Sequence, residues 1–213
     1  MPLPEALGVV HGDAACIVVV KPAGLLSVPG RGEHLQDCVA SRVQAMFDDA
    51  LVVHRLDMAT SGLMLFARGA GAQRALSIAF AAREVHKRYV AVVDGLIERD
   101  CGAIDLPLMA DWPNRPKQKA DREHGKPSLT RYRVLARDAA ARTTRVELEP
   151  VTGRAHQLRV HLLSLGHPIL GDALYAPPEV QARADRLLLH ASALRFTHPV
   201  SGTPMAFESS ATF

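Results

Sequence analysis

Cysteine is scarce in this chain. Cys16, Cys38 and Cys101 are odd in number and unevenly spaced, and no Cys-x-x-Cys pair occurs, which argues against a disulfide scaffold and against a zinc knuckle. A reducing cytosol is the surrounding this usage fits. Aromatic residues make up only 5%, too few for a broad platform on which single-stranded nucleic acid would stack. No run approaches the roughly 18 apolar residues that span a bilayer. Residues 1–5 lack the basic-then-apolar pattern of a targeting segment. The expectation is a soluble, cytoplasmic protein without a membrane partner. Excess charge is small too: the formal net charge is +3, a weak pointer to a polyanionic partner. Internal repeats, low-complexity tracts and long linkers are missing, so residues 1–213 read as a single domain large enough to bury a core.

What is present centres on residues 53–68. Asp57 follows the cation Arg55 by two positions, Thr60, Ser61 and Gly62 turn the chain, and the apolar run 63–67 has the length and content of a strand. A carboxylate is thus set on a short connection between rigid elements, where site residues concentrate. Taken alone, an Arg-x-Asp tripeptide is more often a structural ion pair than catalytic machinery.

The remaining chain supplies the frame. Residues 16–20 read as a strand stopped by Lys21-Pro22, with a glycine-rich loop after it to which no chemistry is assigned. Leu35, Val39, Val43, Met46 and Phe47 recur at helical spacing and predict a core-packing helix. A second short helix is predicted over 72–83, then a strand over 87–93 ending at Asp94-Gly95. Residues 105–119 contain prolines that exclude regular structure there, and Arg115, Lys117, Lys119, Arg122 and Lys126 concentrate positive charge on what should be an exposed loop. A stiff basic loop loses little entropy on meeting phosphates, so RNA binding is the reading favoured over a solvated connection. Strands are expected over 129–136 and 143–149, then a helix over 154–165 with Thr152 as its cap, Gly166 at its stop and an apolar stripe of Ala155, Leu158, Leu162 and Leu165. His156 and His161 fall about 140° apart on such a helix, which is wrong for a zinc pair. The other histidines, His54, His190 and His198 among them, read as hydrogen-bonded scaffold, and no metal site is expected. Residues 186–191 and 205–207 complete the strands. Strands outnumber helices without strict alternation, which predicts α+β with a largely antiparallel sheet.

His54-Arg55-Leu56-Asp57-Met58-Ala59-Thr60-Ser61-Gly62 resembles the His-Arg-Leu-Asp-x-x-Thr-Ser-Gly signature of the RluA family of pseudouridine synthases. Residues 21–30, the Lys-x-Tyr-x-Ala pattern at 87–91, Thr152 through His161 and the Leu-x-Leu-His-Ala segment at 187–191 are similar to further motifs of that family. The resemblance implies the pseudouridine synthase fold, a mixed, largely antiparallel sheet flanked by helices with a central catalytic cleft. It makes Asp57 the catalytic carboxylate, Tyr89 the ring against the target base and Arg159 the cation that pairs with the carboxylate and holds it ionised. Substrate contacts are expected from His54, Arg55, Thr60, Arg115, Lys117, Lys119 and Arg154.

The implied reaction turns uridine into pseudouridine in RNA. The N1–C1′ bond breaks, the uracil turns, and C5 joins C1′, without redox change or external energy; no cofactor motif is needed and none is present. Asp57 could attack C1′, add to C6, or act through elimination at the ribose. Tyr89 or Asp57 is the candidate for removing the C5 proton. A target uridine must be flipped from its stack, which is cheapest in a loop. Residues 105–119 are similar to the narrower bacterial branch with dual specificity. This points to stem-loops of tRNA and 23S rRNA, at uridine 32 of the anticodon loop and uridine 746, and to a monomer without metal. A first strand near residue 15 leaves no room for the S4-like module that many relatives carry. A different rRNA or tRNA target, a non-catalytic RNA-binding assembly factor, and a glycosidase are the competing readings. The last normally needs a second carboxylate, and none obvious accompanies Asp57.

Overall fold

Two strands, β2 (Cys16–Lys21) and β4 (Ser61–Arg68), are apolar between their end residues. In the computed structural model, which describes residues 7–32 and 35–213, they pair antiparallel and are buried on both faces. Cys16, Val18, Leu63, Leu65 and Ala67 share one hydrophobic cluster with Leu194 and Phe196. Ile17, Val19, Met64 and Phe66 are equally inaccessible. A continuous apolar run, and not an alternating one, is what two-sided burial demands. Residues 1–5 lie outside the described residues.

The chain forms two compact units, one of residues up to 86 together with 191–211, the other of residues 87–190 with 212–213. In the first, β1 (Gly8–Gly12), β2, β4 and β11 (Leu189–Thr197) lie side by side, β3 (Ala50–Val52) pairs with β4, and β12 (Pro204–Glu208) pairs with β11. The helix α2 (Gly69–Ala82) covers the cluster through Ala72 and Leu76.

The other helix of this unit, α1, is shorter than its spacing predicts and spans Val39–Met46. Cys38 stops it upstream. Its backbone is extended, its Sγ accepts from the Ser41 amide at 3.3 Å, and Ser41 Oγ accepts from the Cys38 amide at 3.1 Å, a reciprocal cap that fixes where the helix begins. Leu35 therefore lies outside the helix, and both it and Met46 are exposed, contrary to the core role expected of them.

In the second unit, β5 (His86–Asp94), β10 (Thr143–Pro150), β9 (Leu129–Asp138) and β6 (Cys101–Asp105) form an antiparallel array. Val146 and Leu148 face inward as their alternation predicts. Residues 105–119 are more ordered than their prolines suggest. Here β7 (Leu108–Ala110) and β8 (Gln118–Ala120) make a two-stranded hairpin. Pro113 and Pro116 sit in its connection, and Pro107 just before it, so neither strand loses a donor.

The helix α3 covers only Gln157–Ser164. His156 precedes it in the left-handed region at φ +53, which a helix cannot pass through. The expected Thr152 cap and amphipathic stripe are not found: Ala155 and Leu165 are exposed, whereas Gln157 through Leu162 are all buried. This is an interior helix, and one followed by a left-handed Gly166 at φ +82. A four-residue helix, α4 (Pro178–Gln181), precedes β11. The fold is α+β.

Candidate active site and RNA-contacting residues

Asp57 stands on the connection between β3 and β4, and alternate residues of that connection are pinned. His54 Nε2 accepts from the Leu65 amide at 2.9 Å, with its ring stacked on Phe80 at 4.7 Å. Leu56 is bound at both ends of its peptide by Ser27 Oγ, which accepts from its amide at 3.0 Å and donates to its carbonyl at 2.6 Å. The Met58 carbonyl accepts from the Gly24 amide at 2.9 Å and from Lys21 Nζ at 2.8 Å. Arg55 and Asp57, the positions between these anchors, are exposed and half-buried. Thr60 is buried, and its amide closes a turn onto the Asp57 carbonyl at 3.1 Å. Gly62 finishes the motif at φ +113, with the Ala191 backbone so near that an added Cβ would lie 2.3 Å from its oxygen. Within the nine-residue signature His54, Leu56, Met58, Thr60 and Gly62 thus each have a visible mechanical role, and Arg55 and Asp57 stand between the anchors.

Residue type and spacing do not single out Lys21, yet it is fully buried. Its Nζ donates to the carbonyls of Pro22 and Met58, each at 2.8 Å. Burial pushes its pKa down to about 8, against the opposing pull of the Asp57 charge. A lysine ending an otherwise apolar strand was the available signal.

The second unit holds Tyr89, Arg154 and Arg159. Tyr89 is buried on β5, opposite Leu148 of β10. Arg159, on α3, donates from Nε and Nη2 to the two oxygens of Asp172 at 2.8 and 2.6 Å, with both side chains almost wholly buried. Its guanidinium also lies over the Tyr175 ring, 5.0 Å from the centroid. Asp172 and Tyr175 belong to a stretch that reads in sequence only as a turn-rich connection. The loop before α3 is tied by Gln157: its Oε1 accepts from Thr152 Oγ1 at 2.8 Å and from the Arg154 amide at 3.0 Å. Gly153, Arg154 and Ala155 are left exposed, so Thr152 and Gln157 are the struts of the motif and Arg154 is its presented cation. His156 Nδ1 is 2.6 Å from the Tyr175 hydroxyl. His161, fully buried, bonds Thr130 Oγ1 at 2.9 Å and the Leu106 carbonyl at 3.0 Å.

Arg115, Lys117 and Lys119 share the connection and second strand of the β7–β8 hairpin. Lys119 lies 3.8 Å from Asp121. Arg115 and Lys117 have no carboxylate partner among the described residues.

Among the described residues one group of three side chains has ligand atoms close enough to hold a metal ion, His11, Asp13 and Cys16. Its hydrogen bonds already occupy it. Asp13 Oδ1 accepts from the amides of Ala15 and Cys16 at 2.7 and 2.8 Å, and Oδ2 lies 2.7 Å from His11 Nε2 and 3.2 Å from His198 Nε2. Burial raises the Asp13 pKa, but these bonds outweigh it and hold the carboxyl below the usual range. Burial first, and then the Asp13 charge, pushes the Cys16 thiol up to about 12, the reverse of what a thiolate ligand requires.

The family model described as RNA pseudouridylate synthase matches residues 15–164. The chain belongs to that family. As a pseudouridine synthase it is an isomerase of RNA. It is 54% identical over 205 residues, 96% of this chain and 99% of the relative, to the dual-specificity RNA pseudouridine synthase RluA of Yersinia pestis. It is 53% identical over 207 residues, 97% and 94% of the two chains, to the protein of that name from Escherichia coli K12. Among solved structures, human RNA pseudouridylate synthase domain containing 1 is similar with a TM-score of 0.81 at 28% identity, covering 99% of this chain and 86% of that one. Human domain containing 4 gives a TM-score of 0.77 at 26% identity, covering 96% and 88%.

Proposed function

We propose that this pseudouridine synthase isomerises uridine in two kinds of RNA, a tRNA anticodon loop and a hairpin of 23S rRNA, as a cytoplasmic monomer. The observation that carries the reading is the anchored loop of Asp57. Three successive alternate residues are fastened to buried partners, and the half-buried carboxylate of Asp57 is carried on that rigid support. A preorganised carboxylate spends none of its substrate-binding energy on being ordered. The relatives' shared name, with its dual specificity, extends over nearly the whole chain and supports the two substrates.

In the reaction the N1–C1′ bond of the target breaks, C5 bonds to C1′, a proton leaves C5, and N1 gains one. Asp57 is assigned the carboxylate role, by attack at C1′, addition to C6 or elimination at the ribose. Tyr89 is assigned the ring that receives the base and Arg159 a cation of the catalytic group. Arg55, Arg115, Lys117, Lys119 and Arg154, all half-buried or exposed cations, are assigned to phosphates, and His54 and Thr60 to shaping the loop that meets the substrate. The fixed bonds of His54 and the burial of Thr60 suit that supporting part. A flipped uridine costs a few kcal/mol of lost stacking, least in a hairpin loop.

Tritium release from C5-labelled uridine tests the assignment, using tRNA and 23S rRNA fragments in chelator without nucleotide. Release from both substrates is expected. Release from neither would overturn the proposed activity, and release from one would reduce it to a single substrate.

A further inference from the structure

Trp112 is the single tryptophan of the chain and is 63% exposed. Tryptophan is highly buried on average, so one this exposed stands apart. It opens the 3-10 turn Trp112–Asn114 in the β7–β8 connection. The guanidinium of Arg115 lies over its ring, 4.1 Å from the centroid, and no carboxylate among the described residues takes that charge.

The turn is braced from below. The Asp111 amide donates to the Lys117 carbonyl at 2.9 Å, and the amides of Asn114 and Lys117 close onto the carbonyls of Asp111 and Asn114, each at 3.0 Å. Asn114 Nδ2 reaches Asp111 Oδ2 at 2.8 Å. At the start of β8 the Gln118 amide donates to the Tyr175 hydroxyl at 2.8 Å. That hydroxyl also meets His156, and the Tyr175 ring lies under Arg159. An indole with a guanidinium on it is therefore held on a stiff turn, and the strand that follows the turn is tied through Gln118 to Tyr175, whose ring lies under Arg159.

A base prefers to stack on a wide aromatic face, and an arginine released from such a face finds a phosphate readily. Resting on the indole through a cation–π contact, Arg115 keeps the ring oriented at small cost before RNA arrives. We propose that Trp112 is the stacking surface for one unpaired nucleotide of the substrate loop beside the target, and that Arg115 moves from the indole to the adjoining phosphate on binding. Trp112 is thus a positioning residue that selects looped over paired RNA. The inference rests on the RNA pseudouridine synthase reading and adds to it which loop contact is made and by what.

The experiment uses the full chain, with Asp57→Asn as the background for binding so that the RNA stays unmodified. Emission excited at the red edge reports Trp112 alone. Titration with an anticodon stem-loop, to a saturation fixed independently by filter binding, should quench it and block its access to acrylamide; a loopless duplex of the same length should do neither. In the active chain, Trp112→Ala should raise KM for the stem-loop about ten- to a hundredfold, the range of one lost stacking contact, with kcat little changed. Trp112→Phe should recover part of the loss. Arg115→Ala should flatten the salt dependence of binding by about one phosphate contact. Unchanged emission and acrylamide access at saturation, or an unaltered KM for Trp112→Ala, overturns the inference while leaving the activity standing. Absence of pseudouridine formation by the unsubstituted chain would instead remove the reading beneath it.

Discussion

Arg159 and Asp172 form a two-pronged ion pair at 2.8 and 2.6 Å, with side-chain exposures of only 4% and 1%. Such a pair contributes little relative to apolar residues, but it is costly to break. Asp172 also accepts from the amides of Leu174 and Tyr175 at 3.0 and 3.2 Å, so it shapes the turn that carries Tyr175 and fixes the direction of Arg159. Asp172→Ala should cost about 3–5 kcal/mol in urea denaturation, and Arg159→Lys, which has no fork, should not restore the geometry. Equal stability for Asp172→Ala and the unsubstituted chain would show that the pair has no such role.

Lys21 gives a pH signature. Its pKa falls from an ordinary 10.5 to about 8 in the folded chain because burial disfavours the ammonium, with Asp57 pulling the other way. Below pH 8 the side chain is charged both folded and unfolded, and its burial weighs fully against the fold. Between pH 8 and 10.5 the unfolded chain holds a proton that the folded chain has released, so stability rises with pH. The gain is on the order of 3 kcal/mol. Urea midpoints measured from pH 7 to 10.5 should climb less steeply in Lys21→Met than in the unsubstituted chain; parallel curves would contradict this.

Much of the fold can be read from residue spacing, and what escapes has physical causes. The strands at 16–21 and 61–68 announce themselves because two-sided burial leaves no polar interruption until Lys21 and Arg68. The start of α3 does not, because it depends on Gln157 folding back to Thr152 and Arg154 and on His156 taking a left-handed conformation, and neither leaves a periodic trace. The place of Asp57 on a short connection ahead of a buried strand is legible in its nine-residue context. Asp172 and Tyr175 are not: their importance comes from partners 13 and 19 positions away, Arg159 and His156. Lys21 reads as a strand end, since residue type alone cannot say that an ammonium is buried.

Two glycines with similar backbone should respond very differently to alanine. Gly24 has φ +83 and open space around it, whereas Gly62 has φ +113 and the Ala191 backbone at 2.3 Å from where a Cβ would be. Gly24→Ala should cost only the conformational strain, about 1–2 kcal/mol. Gly62→Ala must also push two backbones apart and should lose more than about 3 kcal/mol or fail to fold. Comparable melting temperatures for the two variants would refute the distinction.

The loop before α3 offers a test of its hydroxyl strut. Thr152 Oγ1 accepts from the Leu129 amide at 2.9 Å and donates to Gln157 Oε1 at 2.8 Å. Thr152→Val keeps the shape and strands both partners, which should cost about 1–3 kcal/mol. Thr152→Ser keeps the hydroxyl and should lose less than half as much. Denaturation midpoints decide between them, and a larger loss in Thr152→Ser than in Thr152→Val would contradict the strut and assign the effect to the methyl group.

The account depends most on Asp57, and one measurement addresses it: the pseudouridine content of an anticodon stem-loop after a single turnover with Asp57→Asn, at protein concentrations where filter binding shows all the RNA bound. The unsubstituted chain should convert the target uridine completely, and the variant should bind the RNA and leave it as uridine. Pseudouridine formed by Asp57→Asn at a rate comparable to the unsubstituted chain would contradict the assignment of the chemistry to this carboxylate.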